Sequence, residues 1–452
     1  MKYRVRFLSV CLLAVSLINC LQAQTDNATS KESIRYRFDL GTNHAPEGWI
    51  AVPEGRMFAP SLLYGFELGS APTQAFDRGG DPVKGDFITA KGGFRFSVII
   101  PEGYYKVTVM LGDANEASRT TIKSENRRLM VENLSTAAGQ YATCQFIVHV
   151  RTPQLSPGNV MKLNSREWDA GTNQALTPTW DDKLTLWFSG DHPAICAIEI
   201  EEIDDVRRVL LIGDSTVTDG GGSWGCMLPR WFNMPVVVSN HAESGQTMKM
   251  FRFSRRWEKM IKEVRPGDYV FMQFGHNDSK RTGHDAIWPE EDEAGEWAIT
   301  HSDAHTDYIW MLATNAVEIK RRGGIPVIVS PMTRINRETG REDNRTHGDY
   351  PEACRKAAEL AECAFIDLNT MSLQLTNALS PDAVRACYTD ATHSTPYGGY
   401  LFSRCIVEGI KKANLGLVQY LTDDARTFNP NNPKLQPEDF NMPPDPVIRR
   451  TF

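Results

Sequence analysis

The sequence predicts two domains: an antiparallel β-sandwich over residues 33–204, then an α/β/α sandwich with a central five-stranded parallel sheet over residues 205–425. Three observations carry this. Before residue 205 the apolar runs are short, alternating, rich in β-branched and aromatic residues, and separated by Gly and Pro. After it, uninterrupted apolar runs alternate with helical periodicity, the signature of strands buried on both faces. The 452 residues are 41% hydrophobic and 23% charged, enough for two ordinary cores and unlike a disordered or fibrous chain.

Residues 1–23 stand outside both domains. Lys2, Arg4 and Arg6 precede the apolar run Phe7–Ile18, which is too short to span a bilayer, and Leu21-Gln22-Ala23 offers a small residue for cleavage. The expectation is a signal peptide cut before Gln24 and an exported, periplasmic or secreted protein. Leu17-Ile18-Asn19-Cys20 is an alternative lipid-anchoring site, with Asn19 a poor residue before a lipidated Cys. No later segment has 18 consecutive apolar residues, so no membrane span is expected. Losing three cations and no acid takes the net charge from −7 to −10, which argues against a nucleic-acid partner. Of nine cysteines seven remain, odd and sparse, so no disulfide scaffold is expected. Cys144 with Cys196 and Cys354 with Cys363 are the pairs that export would permit.

The sandwich strands read in order as 33–40, 94–100, 104–111, 145–150, 184–188 and 194–200, with Pro101-Glu102-Gly103 turning the chain between two of them. Asp204-Asp205-Val206-Arg207 is a short junction, so the halves are expected to pack together, with residues 24–204 performing no chemistry. The parallel strands read as 208–213, 235–239, 269–274, 325–330 and 364–368. Ile309, Leu312, Ala313, Ala316 and Ile319 mark a helix stopped by Gly323-Gly324. Residues 426–452 read as a C-terminal tail.

Ligands bind beyond the carboxyl ends of such strands. The first strand ends in Gly213-Asp214-Ser215-Thr216-Val217, the second leads to Asn240-His241-Ala242-Glu243-Ser244-Gly245, and the third to Gly275-His276-Asn277-Asp278. Asp390-Ala391-Thr392-His393 stands near the end. Each block alone has a plain explanation as a cap or turn; four in order, three directly after parallel strands, do not. A nucleophilic Ser needs a base to take its proton, a carboxylate to orient that base, and donors for a developing oxyanion.

At these residues the chain resembles the SGNH (GDSL-type) hydrolases, with a flavodoxin-like catalytic fold. The Gly-Asp-Ser-Thr and Gly-His-Asn-Asp blocks and the two-domain layout look most like bacterial rhamnogalacturonan acetylesterases, which carry a galactose-binding-like sandwich in front. The resemblance implies Ser215 as nucleophile, Asp390 and His393 completing the triad, and the Ser215 N–H, Gly245 N–H and Asn277 side chain as oxyanion donors. It implies no cofactor and no metal in the catalytic half; a structural calcium in the sandwich is left open. Thr216 departs from the Leu common in this block.

Two motifs are set aside. Ser223 lies in Gly221-Gly222-Ser223-Trp224-Gly225, a nucleophile-elbow pattern, but no strand immediately precedes it. His301-Ser302-Asp303-Ala304-His305 lacks the Glu of a zinc-protease motif and reads as a polar loop opening the long helix. Lys280, Arg281, Trp297 and Arg334 follow the third and fourth strands, and cations beside aromatics suit an acidic sugar chain. The expected partner is an acetylated polysaccharide or oligosaccharide containing galacturonate. An acetylxylan esterase, or a glycan-binding protein with an inactive hydrolase half, are the alternatives; the oligomeric state is not readable.

Overall fold

The computed structural model describes residues 34–68, 73–171, 174–279, 301–343 and 348–446. The expected signal peptide, Cys20, and the residues Lys280, Arg281 and Trp297 lie outside them.

The first half is a sandwich of two sheets. One has Tyr141–Val150, Gly103–Gly112, Ile195–Glu202, Arg35–Gly41 and Ile50–Pro53 in spatial order, with Gln74–Asp77 and Asp86–Thr89 joined at Ile195. The other runs Tyr64–Phe66, Phe94–Ile99, Lys183–Asp191, Ser118–Ser124 and Arg128–Thr136. Pairing is antiparallel save that Arg35–Gly41 runs parallel to Ile50–Pro53. Alternate residues point inward, so Phe38, Leu40, Phe94, Phe96, Val107, Val109, Leu186, Phe188 and Ile198 form one fully buried core. Phe38 meets Phe96 edge-on at 5.2 Å between ring centres.

The second half holds five parallel strands in the order Val236–Asn240, Arg207–Gly213, Tyr269–Gln273, Ile325–Val329 and Ala364–Ile366. Every residue of the second and third of these in sequence is buried. On the first strand Val209 and Leu211 face one core, and Leu210 and Ile212 the other. Helix Asp307–Arg321 buries the expected Ile309, Leu312, Ala313, Ala316 and Ile319. Helix Pro396–Lys412 covers the opposite face through Leu401, Phe402, Ile406 and Ile410.

The halves share buried polar contacts. Arg128 of the sandwich pairs with Asp219 at 2.7 Å, both 2% exposed. Glu132 accepts from Arg230 and from the Tyr400 hydroxyl, each at 2.9 Å, and His149 Nδ1 lies 2.6 Å from Ser239 Oγ. The segment read as a tail lies across both halves. Phe440 packs on Tyr397 and Tyr400, while Asp445 pairs with Lys123 at 2.5 Å and Arg127 at 2.9 Å. All seven cysteines described are free thiols. Cys144 and Cys196 cannot meet because strand Gly103–Gly112 runs between theirs. No helix among the described residues is long and apolar enough to cross a membrane.

Candidate active site

The first strand ends where the chain turns sharply. A Cβ on Gly213 would lie 2.4 Å from the Gln273 carbonyl, so only Gly lets the two strand ends approach. Val217 and Thr218 N–H then donate back to the Asp214 carbonyl at 3.0 and 3.1 Å, leaving Ser215 at the solvent edge. Asp214 is fully buried, and its Oδ1 accepts from the Thr216 N–H at 3.0 Å and hydroxyl at 2.8 Å. Burial raises its pKa. Thr216 also accepts from Gln273 Nε2, and Gln273 Oε1 accepts from Trp224 Nε1 at 2.8 Å. This buried chain explains a Thr where an apolar residue would leave Gln273 Nε2 unpaired. Sequence reading missed it, although Thr directly after Asp-Ser was the signal.

Ser215 Oγ lies 2.8 Å from His393 Nε2, and His393 Nδ1 lies 2.6 Å from Asp390 Oδ2. The three-residue spacing lets the same carboxylate hold its own loop: Asp390 Oδ1 accepts the N–H of Thr392 at 2.6 Å and of His393 at 2.7 Å. Thr389 donates its N–H (2.8 Å) and hydroxyl (3.0 Å) to the His393 carbonyl, and Thr395 caps the following helix by accepting from Gly398 N–H. Partial burial alone would raise the Asp390 carboxyl, but the His393 and Thr392 donors outweigh it and hold its pKa below the ordinary value. The carboxylate on Nδ1 places the imidazole proton there and leaves Nε2 as the acceptor facing Ser215. The His393 and Asp390 side chains are 49% and 56% exposed, so the site is open.

Glu243-Ser244-Gly245-Gln246 is a tight turn closed by Gln246 N–H on the Glu243 carbonyl at 3.4 Å. Gly245 has φ +80°, the left-handed conformation a type II turn needs at its third position. Asn277, 8% exposed, donates Nδ2 to the Gln246 carbonyl at 3.1 Å, which leaves its second amide proton for a ligand. Asp278 is fully buried and accepts from Met248 N–H (3.1 Å) and Gly275 N–H (3.0 Å); burial pushes its pKa up to about 7. It ties the second and third blocks together.

Arg334 donates Nη2 to the His276 carbonyl at 2.7 Å and stands close enough to Asp214, Asp343 and Asp390 to feel their charge. The residues set aside in the sequence lie elsewhere. Ser223 is 3% exposed and donates Oγ to the Thr218 carbonyl. His301 Nδ1 meets the Asp278 carbonyl at 2.8 Å, and His305 Nε2 meets Asp349 at 2.8 Å, so they hold no common ligand. In the sandwich, Asp113, Glu116 and His192 bring ligand atoms within 4.8 Å of one another, but both Asp113 oxygens already accept from Arg78 at 3.0 Å.

Residues 211–398 match the GDSL-like lipase/acylhydrolase family, and residues 36–167 match the galactose-binding-domain-like family of β-agarase/YXIM esterase-like proteins. The chain is 24% identical over 408 residues to the uncharacterized esterase YxiM of Bacillus subtilis, covering 86% of this chain and 94% of that protein. It is 25% identical over 235 residues to the rhamnogalacturonan acetylesterase RhgT of the same organism, covering 47% of this chain and 94% of RhgT. Among solved structures, YxiM superimposes with a TM-score of 0.41 at 22% identity, covering 85% of this chain and 99% of that one. Axe2, an acetylxylan esterase from Geobacillus stearothermophilus, gives a TM-score of 0.33 at 19% identity over 45% of this chain and 94% of its own.

Proposed function

Because residues 211–398 are a GDSL-like hydrolase domain behind a galactose-binding-like domain, we propose that this ester hydrolase removes acetyl groups from exported-space polysaccharide, with galacturonate-containing rhamnogalacturonan as the substrate class. The observation that carries the catalytic part is the unbroken chain from Ser215 Oγ through His393 to Asp390, with contacts of 2.8 and 2.6 Å.

Ser215 Oγ attacks the acetyl carbonyl as His393 Nε2 takes its proton. Asp390 stabilises the imidazolium without taking the proton. The tetrahedral oxyanion is held by the Ser215 N–H, the Gly245 N–H and the free Asn277 amide proton. His393 then gives its proton to the departing sugar oxygen. A water repeats the sequence on the acyl-enzyme, with His393 as base and then acid, releasing acetate and restoring Ser215. The open site suits an ester borne on the side of a polymer. Arg334, with Lys280, Arg281 and Trp297, supplies the proposed contacts to a uronate carboxylate and sugar ring. The relatives named rhamnogalacturonan acetylesterases support this substrate class.

The test is acetate release from acetylated rhamnogalacturonan against acetylated xylan. Faster release from the former is expected, and Ser215→Ala abolishes release from both while the melting temperature stays put. Asn277→Ala lowers kcat about 100-fold or more with little change in KM. Preference for xylan would move the substrate class. No Ser215-dependent release from any ester, with glycan binding intact, would favour a binding protein.

A further inference from the structure

We infer that the segment Thr333–Arg337, which follows the fourth parallel strand, sets the spacing between the oxyanion donors and the base, with Arg334 and Arg337 as positioning residues. The inference rests on the reading of Ser215, Asn277, Asp390 and His393 given above.

The need for such a brace comes from exposure. The loop at 388–394 carries Asp390 and His393 and closes on itself through an antiparallel bridge between Tyr388 and Ser394. That closure fixes His393 against Asp390. It does not fix the pair against Asn277, which arrives after a different strand. Ala391 and His393 are exposed, so packing holds little of the loop's apex and hydrogen bonds from neighbouring segments place it.

The segment supplies those bonds. Ile335 N–H donates to the Ala391 carbonyl at 3.0 Å, at the apex between Asp390 and His393. Arg337 Nη1 donates to the Tyr388 carbonyl at 2.8 Å, at the loop's foot. The Tyr388 hydroxyl donates to the Thr333 carbonyl at 3.0 Å. In the other direction, Arg334 Nη2 donates to the His276 carbonyl at 2.7 Å, one residue before Asn277. Arg334 and Ile335 are adjacent, so a single residue step, about 3.3 Å when extended, joins the oxyanion block to the base loop. A crosspiece this short cannot stretch to absorb a displacement at either end. Its own seat is fixed: Thr333 N–H donates to Ser372 Oγ at 2.9 Å, Asp343 N–H to the Arg334 carbonyl at 3.1 Å, and Arg341 Nη1 to the Leu379 carbonyl at 3.1 Å.

Proton transfer from Ser215 to His393 and capture of the oxyanion beside Asn277 belong to one transition state. Their spacing therefore enters kcat rather than substrate binding. The Arg334 guanidinium is also the proposed uronate contact, and a substrate without a carboxylate separates the two roles.

The test uses the full chain and 4-nitrophenyl acetate. Arg334→Met is expected to lower kcat about 10-fold or more, with KM within about twofold. Arg334→Lys, which keeps a donor at that place, returns kcat to within about threefold of the parent. Arg337→Ala lowers kcat about threefold or more, and the double variant loses less than the product of the two, because both loosen one crosspiece. Arg355, exposed on helix Tyr350–Leu360 and paired with Asp367, is the control: Arg355→Ala leaves kcat unchanged. If Arg334→Met does not fold, Arg337→Ala, at an exposed side chain, decides. Parental kcat in a folded Arg334→Met or Arg337→Ala protein overturns the inference, and so does a loss confined to KM, which would leave Arg334 a substrate contact only. Activity that survives Ser215→Ala defeats the catalytic reading instead.

Discussion

Asp39 sits in the first sandwich strand at 1% exposure with neither carboxyl oxygen hydrogen-bonded. Burial first, then the charges of Asp86 and Asp81, pushes its pKa up to about 7. The folded state therefore holds a proton that the unfolded chain gives up near pH 4. Stability from this residue is complete below pH 4 and is lost as the pH rises toward 7. Asp39→Asn should stabilise the protein by about 1–2 kcal/mol at pH 8 and by nothing measurable at pH 4. Denaturant melts at the two pH values check this; an equal effect at both would show that the charge is not what matters. Nothing in the local sequence Arg37-Phe38-Asp39-Leu40 announces that Asp39, on the face opposite Phe38 and Leu40, is covered beside other acids, because its neighbours Asp81 and Asp86 arrive from over forty residues away.

At the level of elements, Gly399 lies one turn into the helix that follows His393, and a Cβ there would stand 1.8 Å from the Gly222 carbonyl. Gly399→Ala must push that helix from the loop at 220–225. Since the helix cap holds the His393 loop, activity and stability fall together. Expected losses are about 3 kcal/mol in unfolding free energy and at least tenfold in kcat, read by thermal melts and aryl-acetate kinetics. A variant as stable as the parent would mean that the helix can slide. The parallel strands were legible because they are continuous apolar runs, and the proposed site residues Ser215, Gly245, Asn277, Asp390 and His393 were candidates because each follows an element edge within a short block. The buried ion pairs between the halves were not. Arg128 and Glu167 have their partners, Asp219 and Arg256, 91 and 89 positions downstream, and no local period encodes such a pairing.

Across the whole molecule, the two halves meet through desolvated charge. Arg128 reaches Asp219, which also accepts from Asn240 at 2.9 Å, and Arg208 donates to Tyr104 of the sandwich at 3.1 Å. Breaking such a pair strands its partner. Arg128→Met should cost about 3–5 kcal/mol, and adding Asp219→Asn should recover part of that loss. The double-mutant cycle, followed by chemical denaturation, measures the coupling; additive losses would deny that the pair acts as one unit. The sequence expectation that residues 24–204 perform no chemistry therefore meets a buried interface. A chain beginning at Asp205 would leave Asp219, Glu263 and Val237 without their sandwich neighbours.

The contact between Lys123 and Asp445 spans 322 positions, and this has a consequence for how the protein is made. A ribosome delivers the chain from its N-terminus, so the sandwich can assemble its strands long before its Lys123 meets a partner. Contacts of such sequence separation close slowly and late. Until they do, Tyr397 and Tyr400 lack Phe440 and present an aromatic surface to whatever is nearby. A polypeptide clipped ahead of Phe440 is thus left permanently in that early condition, and it is the species that chaperones and proteases would be the first to take up.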